Sequence, residues 1–270
     1  MAITIRVLRF PITIGWAFPA FLAFLGYVTD LTGIDLLAWV AFGMFAILVH
    51  ELGHALAFRR YGLESTISFW GLGGVTVPND QAAAARLPDR QWLVVSLAGP
   101  SVGLVLGAVG LALQGPLSGQ GPEIRSAVGT WIFVNLGWGI FNLLPIGILD
   151  GGSALTHLLR LAFGRRGQLV AIAASIAFSA TVAVVALANR FVFVALMAVL
   201  FGLANPYQYQ ALFEGVFPGW AARRRQRDAE HAAKLAAELR RQQAFYAAGE
   251  VPAASLLSDD RRPPPSSPPA

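Results

Sequence analysis

The sequence lacks cysteine and carries few charged residues. None of the 270 residues is cysteine, which excludes disulfides, thiolate metal sites and cysteine nucleophiles. Charged residues make up 13% and hydrophobic residues 56%, whereas soluble domains carry about 25% charged residues. The shortage of charge indicates a chain that is largely surrounded by lipid. Any metal ion bound here must be held by His, Asp or Glu.

Long apolar stretches predict a membrane all-α fold. A helix needs about 20 apolar residues to cross a bilayer, and six stretches approach that length, namely residues 11–28, 36–58, 92–113, 128–149, 169–188 and 191–204. We therefore predict a polytopic bundle of about six transmembrane helices, in which the last two form a tight hairpin. The first stretch follows Arg6 and Arg9 as in a signal peptide. It lacks a small-residue cleavage site and is interpreted as a retained span.

The arginines predict the orientation of this bundle. If the N-terminus is cytoplasmic, the outer loops contain only Arg125 and Arg190, and the other arginines between or beyond the spans lie inside. This imbalance follows the positive-inside rule. It predicts a multi-pass protein of a cell membrane, such as a bacterial inner or plasma membrane, with both termini cytoplasmic. The net charge of +5 then reflects contact with the lipid bilayer, and no pattern predicts nucleic-acid binding.

Three segments outside the spans have distinct compositions. Residues 65–77 combine β-branched and aromatic residues with Gly71, Gly73 and Gly74, which predicts a short membrane-associated β element between the second and third spans. Residues 1–210 are the predicted membrane core. Residues 211–248 predict a basic cytoplasmic helical tail, and the proline-rich residues 249–270 predict disorder.

The few ionisable residues in the predicted spans are His50, Glu51 and His54 within the second span and Asp150 at the end of the fourth. A charged group in mid-membrane costs about 2.5–3.5 kcal/mol on insertion scales, so such groups indicate a function or a partner. His50 and His54 are separated by four residues and therefore lie on one face of a helix, where both can reach one metal ion. Glu51 is rotated by about 100° from His50 and can face a metal-bound water. This HExxH pattern predicts a zinc peptidase in which Glu51 transfers protons.

Asp150 is the candidate third ligand. His50 lies nine residues before Arg59 and Asp150 lies ten residues before Arg160, so both lie about 14 Å from the cytoplasmic boundary at 1.5 Å per helical residue. Two distant motifs thus reach the same membrane layer. The plainer alternative is that Asp150 only caps a helix in a cytoplasmic loop.

These motifs resemble the site-2 protease family of intramembrane zinc metalloproteases. The resemblance rests on the HExxH sequence, on Ala98-Gly99-Pro100, and on Asn142-Leu143-Leu144-Pro145 followed by Leu149-Asp150-Gly151-Gly152. It implies that His50, His54 and Asp150 bind Zn²⁺ and that Glu51 is the catalytic acid and base. It further implies that Asn142 positions substrate, and that the segment with Gly73 and Gly74 pairs with an unwound substrate. The implied substrate is a single-pass transmembrane protein, cleaved in regulated intramembrane proteolysis.

The chain departs from the family pattern at two places. Ile146-Gly147-Ile148 replaces the usual proline-rich stretch before the aspartate, and Gly103 replaces a frequent asparagine. We expect a minimal form without a peptide-binding or nucleotide-sensing domain. Two alternatives remain open on the residues alone: another HExxH membrane peptidase with a glutamate as third ligand, or a non-enzymatic metal-binding membrane protein. His157 and His231 lie outside the membrane layer and are expected to be solvated.

Overall fold

The computed structural model describes residues 2–71, 73–204 and 214–247. The chain divides into two compact units with a boundary between residues 213 and 214. The described part of the second unit contains helix α8 (Pro218–Ala247). The sheet, the other helices and the candidate site belong to the first unit, whose described residues are mostly helical and carry one small sheet.

The sheet has four strands, with the order β1 (Ala2–Val7), β2 (Phe10–Gly15), β3 (Ser65–Trp70) and β4 (Gly73–Pro78). The hairpin of β3 and β4 confirms the β element predicted at residues 65–77. The parallel pairing of β2 with β3 joins it to an N-terminal hairpin that we did not predict. The first predicted span is therefore wrong over residues 11–15, because alternating β-branched residues place Ile12 in the sheet core.

The described residues of the first unit form seven helices: α1 (Ala17–Val28), α2 (Gly33–Arg60), α3 (Gln81–Ala84), α4 (Asp89–Gln114), α5 (Pro122–Asn142), α6 (Asp150–Ala188) and α7 (Val192–Leu203). Three of them, α2, α4 and α6, are long and apolar enough to cross a membrane, and α1 and α7 are shorter apolar helices. The prediction of a helical membrane fold is confirmed at this coarser level.

Helix α6 is a helical hairpin rather than one rod. Gly164 has φ 58° and ψ −138°, which is outside the helical region. A Cβ placed on Gly167 would collide with the backbone of Leu159, although eight residues of straight helix would separate the two by about 12 Å. The chain thus turns back at Gly164, and the arm after it corresponds to the predicted span 169–188.

Two boundaries differ from the prediction for residues 128–149. Helix α5 ends at Asn142, and residues 143–149 form a turn-rich connection that includes Pro145. Proline lacks a backbone N–H and ends helices, so helix α5 does not continue through the apolar stretch to Asp150. Asp150 is instead the first residue of α6.

The sheet packs against α1 and α2. Phe10, Ile12, Ile67 and Phe69 are almost fully buried, and they form one apolar cluster with residues of both helices, including Leu52. This packing fixes the sheet beside the HExxH turn of α2.

Candidate metal centre

Three predicted ligands converge at one point. His50 Nε2 lies 3.0 Å and His54 Nε2 lies 3.2 Å from Asp150 Oδ2, and the two imidazole nitrogens are 3.2 Å apart. Both histidines are buried. The helical repeat places the two histidines on one face of α2, and the start of α6 brings the Asp150 carboxylate to them.

The spacing of these atoms suits a zinc ion. Zinc–nitrogen and zinc–oxygen bonds of about 2.0–2.2 Å imply tetrahedral edges of about 3.3–3.6 Å, close to the three observed separations. Two neutral imidazoles and one carboxylate also form a donor set that is common in catalytic zinc sites. His50, His54 and Asp150 are therefore close enough to bind one metal ion.

The backbone of α4 orients His54. Its Nδ1 donates a hydrogen bond to the Val95 carbonyl oxygen at 2.7 Å, which directs Nε2 at Asp150 and makes Nε2 the ring nitrogen that can bind a metal ion. Such a second contact fixes the tautomer and ring orientation of a metal-ligating histidine. The partner is a backbone carbonyl oxygen, which every residue has, so the sequence does not reveal this contact.

A second contact holds the first turn of α6. The hydroxyls of Ser96 on α4 and Ser153 on α6 are 2.7 Å apart, and either can donate. Ser153 is one helical turn after Asp150, so this bond fixes the turn that presents the carboxylate.

Glycine allows α4 to approach the ligands. A Cβ on Gly99 would collide with the His54 imidazole and would lie 2.8 Å from His50 Nε2. From the other side, a Cβ on Gly53 would lie 2.8 Å from the Ala98 carbonyl oxygen. The Ala98-Gly99-Pro100 motif thus corresponds to the close contact between α4 and the metal-binding face of α2.

Glu51 lies between the ligands and the sheet. It is 5% exposed, and its Oε2 accepts a hydrogen bond of 2.7 Å from Thr76 Oγ1 on β4. A Cβ on Gly74 would come within 2.7 Å of Glu51 Cγ and 2.9 Å of Oε1. Gly74 thereby lets the edge strand lie against this carboxylate.

A cavity of about 210 Å³ joins these groups. Its lining includes all three ligands, Glu51, Gly74, Thr76, Trp138 and Asn142. A second cavity of about 290 Å³ lies between α1, α2 and α5, with an apolar lining, and shares the Trp138 side chain with the first. The polar cavity is the part of the described chain in which chemistry at the three ligands can occur.

The remaining predicted residues lie at the same cavity or beside it. Asn142 is 8% exposed, and its Nδ2 donates to the Trp138 carbonyl oxygen at 3.0 Å within α5. Gly73 is on β4, where an added Cβ would be 3.7 Å from the Trp138 indole. The contact of Asn142 is thus within one helix rather than between helices. The roles predicted for both residues stay predictions.

His157 corrects an expectation. Its Nδ1 lies 2.7 Å from Asp89 Oδ1, its ring stacks on Trp92 at 5.6 Å, and Arg160 pairs with the same carboxylate at 3.2 Å. Only 16% of the His157 side chain is exposed. The expectation of a solvated histidine is wrong because α6 folds it against the start of α4. His231, on α8, is exposed as expected.

The glutamate alternative has no support in the described residues. Glu64 is the first glutamate after the motif, and its Oε1 lies 3.6 Å from Arg59 Nε. Within residues 2–71, 73–204 and 214–247, no glutamate after the motif joins the cluster of three ligands. Asp150 is the carboxylate that lies close enough to the two histidines to bind a metal ion with them.

Comparisons with known proteins agree with this geometry. Residues 38–130 match the model of peptidase family M50. The putative zinc metalloprotease Rip3 of Mycobacterium tuberculosis is 39% identical over 110 residues, which are 40% of this chain and 27% of the relative. A putative zinc metalloprotease of Synechocystis is 31% identical over 137 residues, which are 48% of this chain and 34% of the relative. The chain thus matches about a third or less of each relative's length.

One solved structure shares the fold. The site-2 protease from Methanocaldococcus jannaschii superposes with a TM-score of 0.54 and covers 78% of this chain and 95% of its own, at 22% identity. Together with the matched family model, this confirms the resemblance drawn from the sequence motifs.

Proposed function

We propose that this chain, a relative of the site-2 proteases of peptidase family M50, is a zinc metalloendopeptidase that cuts transmembrane segments. The observation that carries the proposal is the convergence of His50, His54 and Asp150, at 3.0–3.2 Å, beside a buried glutamate. The two histidines and the glutamate lie on an apolar helix of 28 residues. A metal centre buried in this position suits the hydrolysis of a peptide bond within the membrane.

The ligands and Glu51 have separate tasks. His50, His54 and Asp150 would hold Zn²⁺, which polarises the scissile carbonyl and lowers the pKa of the attacking water. Glu51 is offset from the two histidines around the helix and borders the same cavity. It accepts the proton of the attacking water and then delivers it to the nitrogen of the leaving amine. Its burial excludes bulk water, which would compete for this proton.

The edge strand β4 offers a place for an extended substrate. It is the outer strand of the sheet beside β3, so its free main-chain groups can pair with a peptide by strand addition. A helical substrate has to unwind first, because its carbonyls are hydrogen-bonded within the helix. Gly74 lets β4 lie directly against Glu51, so a peptide paired with this strand near Gly73 and Gly74 would run close to that carboxylate.

Asn142 is proposed to position the substrate carbonyl. An amide NH₂ group has two donor hydrogens, and the bond to the Trp138 carbonyl uses one. The second hydrogen and the amide oxygen remain available for other partners, and Asn142 lines the cavity. Donation to the carbonyl at which negative charge develops would stabilise the transition state.

We propose a membrane arrangement that is more specific than the three long apolar helices establish by themselves. In addition to α2, α4 and α6, helices α1, α5 and α7 would complete a bundle of about six crossings, with both termini cytoplasmic. The arginine distribution supports this orientation. The substrate would be a single-pass protein that enters laterally. Residues 1–210 would form the protease core, and the basic residues 211–248 would contact anionic headgroups.

Replacement of Glu51 tests the proposed activity. We expect Glu51→Gln to abolish cleavage while zinc stays near one per chain, because the amide keeps the shape of the side chain and cannot accept the proton. Membrane proteomes of cells with wild-type and Glu51→Gln protein would reveal transmembrane segments that remain uncut in the variant. Equal cleavage by both proteins would contradict the proposal.

A further inference from the structure

Thr76 contacts Glu51 at two atoms. Its Oγ1 lies 2.7 Å from Glu51 Oε2 and 3.0 Å from the Glu51 carbonyl oxygen. Thr76 is on β4, paired with Ile67 of β3, whereas Glu51 is on α2. The hydroxyl therefore joins the edge strand of the sheet to the proposed proton carrier.

A hydroxyl can serve both protonation states of this carboxyl. It has one hydrogen to donate and lone pairs to accept. When Glu51 is ionised, the hydroxyl donates to Oε2, in a charge-assisted bond of the stronger kind. When the carboxyl is protonated on Oε2, the Thr76 hydroxyl can accept a hydrogen bond from it and turn its own hydrogen to the Glu51 carbonyl oxygen. The side chain of Glu51 thus keeps one partner throughout a reaction cycle.

The second carboxyl oxygen, Oε1, lies beside Gly74 of β4. A Cβ on Gly74 would come within 2.9 Å of Glu51 Oε1, and Gly74 belongs to the strand with which an extended peptide would pair. Because Thr76 occupies Oε2, Oε1 is the oxygen available for the reacting water and the leaving amine. The two oxygens are therefore distinguished by their surroundings.

We propose that Thr76 is a positioning residue that orients the Glu51 carboxylate for proton transfer and couples it to strand β4. This inference rests on the proposed peptidase function. It assigns to a residue of the sheet a task that neither the metal ligands nor the strand-pairing glycines perform. Thr76 acts through Glu51 and has no bond to the reacting atoms.

The test uses full-length protein in proteoliposomes and a purified reporter carrying a transmembrane segment that wild-type protein cuts and Glu51→Gln leaves intact. We expect Thr76→Val, which removes the hydroxyl and keeps the shape, to lower kcat about 10- to 100-fold, the range for a lost hydrogen bond to a charged group. KM should change by less than about twofold. Thr76→Ser should restore kcat to within about threefold of wild type, because serine keeps the hydroxyl.

Thr66→Val is the matched control. Thr66 lies on the neighbouring strand, and its hydroxyl donates to Asn79 Oδ1 at 3.0 Å, away from the metal centre. The same chemical change there should leave kcat and KM unchanged. Zinc content should stay near one per chain in all of these variants.

A binding measurement separates orientation of the base from a purely structural role. In the Glu51→Gln background, Thr76→Val should leave the affinity for the uncut reporter unchanged. A loss of affinity, or wild-type kcat in Thr76→Val, would overturn the assignment of Thr76 and leave the peptidase function intact. If the wild-type protein cuts no membrane segment that the Glu51→Gln variant leaves uncut, the proposed function is overturned, and this inference with it.

Discussion

The metal-site layer, where α2, α4 and the first turn of α6 meet, differs from the packing of the second arm of α6 against α7. In the metal-site layer, short hydrogen bonds fix buried polar side chains: His54 to the Val95 carbonyl at 2.7 Å and Ser96 to Ser153 at 2.7 Å. In the second region, the buried Ser179 hydroxyl has no hydrogen-bond partner in the described part of the chain. Hydrogen bonds thus orient His54 and the first turn of α6 in the first region, whereas the buried Ser179 hydroxyl in the second region has no such role.

The outward faces of these regions differ in the same sense. The arm of α6 after Gly164 and helix α7 carry many exposed apolar side chains, such as Val184, Leu187 and Leu196. Exposed apolar surface of this kind indicates contact with lipid rather than water. We infer that the α6–α7 pair anchors the protein, whereas small changes in the metal-site layer alter chemistry. Three substitutions test this contrast.

The largest effect is expected for Gly99→Ala. The added Cβ would collide with the His54 imidazole and approach His50 Nε2, so the ligands must shift. We expect zinc affinity to fall by more than about tenfold, in the range seen when the surroundings of metal ligands are changed, with a parallel loss of cleavage. Competition with a chelator would measure the affinity.

Gly43→Ala is the control for this change. The Cβ added there would lie 3.4 Å from a Leu22 methyl group, and alanine favours a helix by about 1 kcal/mol over glycine. Zinc affinity should remain at the wild-type value. An equal loss in both variants would show that α4 does not hold the ligands as described.

A smaller effect is expected for Ser153→Ala. It breaks the bond to Ser96 and leaves Asp150 in place, one helical turn away. We expect zinc affinity to fall by about two- to tenfold, at or below the lower limit for residues that directly support a ligand. Ser101→Ala, which removes a hydroxyl bonded within its own helix to the Leu97 carbonyl, should have no effect. If Ser153→Ala matches wild type in the chelator titration, this bond does not support the site.

The smallest effect is expected for Ser179→Ala. Removal of a buried hydroxyl without a partner costs little or stabilises slightly, so Tm should be unchanged or slightly raised. Cleavage should remain within about twofold of wild type, because the metal-site contacts are untouched. A large loss of activity would mean that the α6–α7 pair contributes more than an anchor.

The sequence predicts the cluster of three candidate ligands well because local geometry fixes two of them. The spacing of His50 and His54 on one helix requires no tertiary information, and matching membrane depth brings in Asp150. The helix boundaries were less predictable. Pro145 prevents helix α5 from extending through the whole apolar stretch, so Asp150 begins the next helix instead of ending this one.

Non-local pairing explains what the sequence did not reveal. Residues 10–15 alternate in a pattern that fits a strand, but pairing of Ile12 with Ile67 joins segments 55 residues apart in the sequence. Thr76 has no distinguishing motif, and only the packing of β4 on α2 directs its hydroxyl to Glu51. The position of His157 outside the membrane layer predicts a solvated side chain, and the sequence does not reveal its pairing with Asp89, 68 residues earlier.

Zinc content tests the central claim most directly. Purified wild-type, Glu51→Gln and Asp150→Ala proteins would be compared by metal analysis after dialysis against a weak chelator. We expect about one zinc ion per chain in the first two and far less in Asp150→Ala, because a site with three protein ligands would lose one of them. Full zinc occupancy in Asp150→Ala would contradict the assignment of Asp150 as a ligand and, with it, this account of the metal centre.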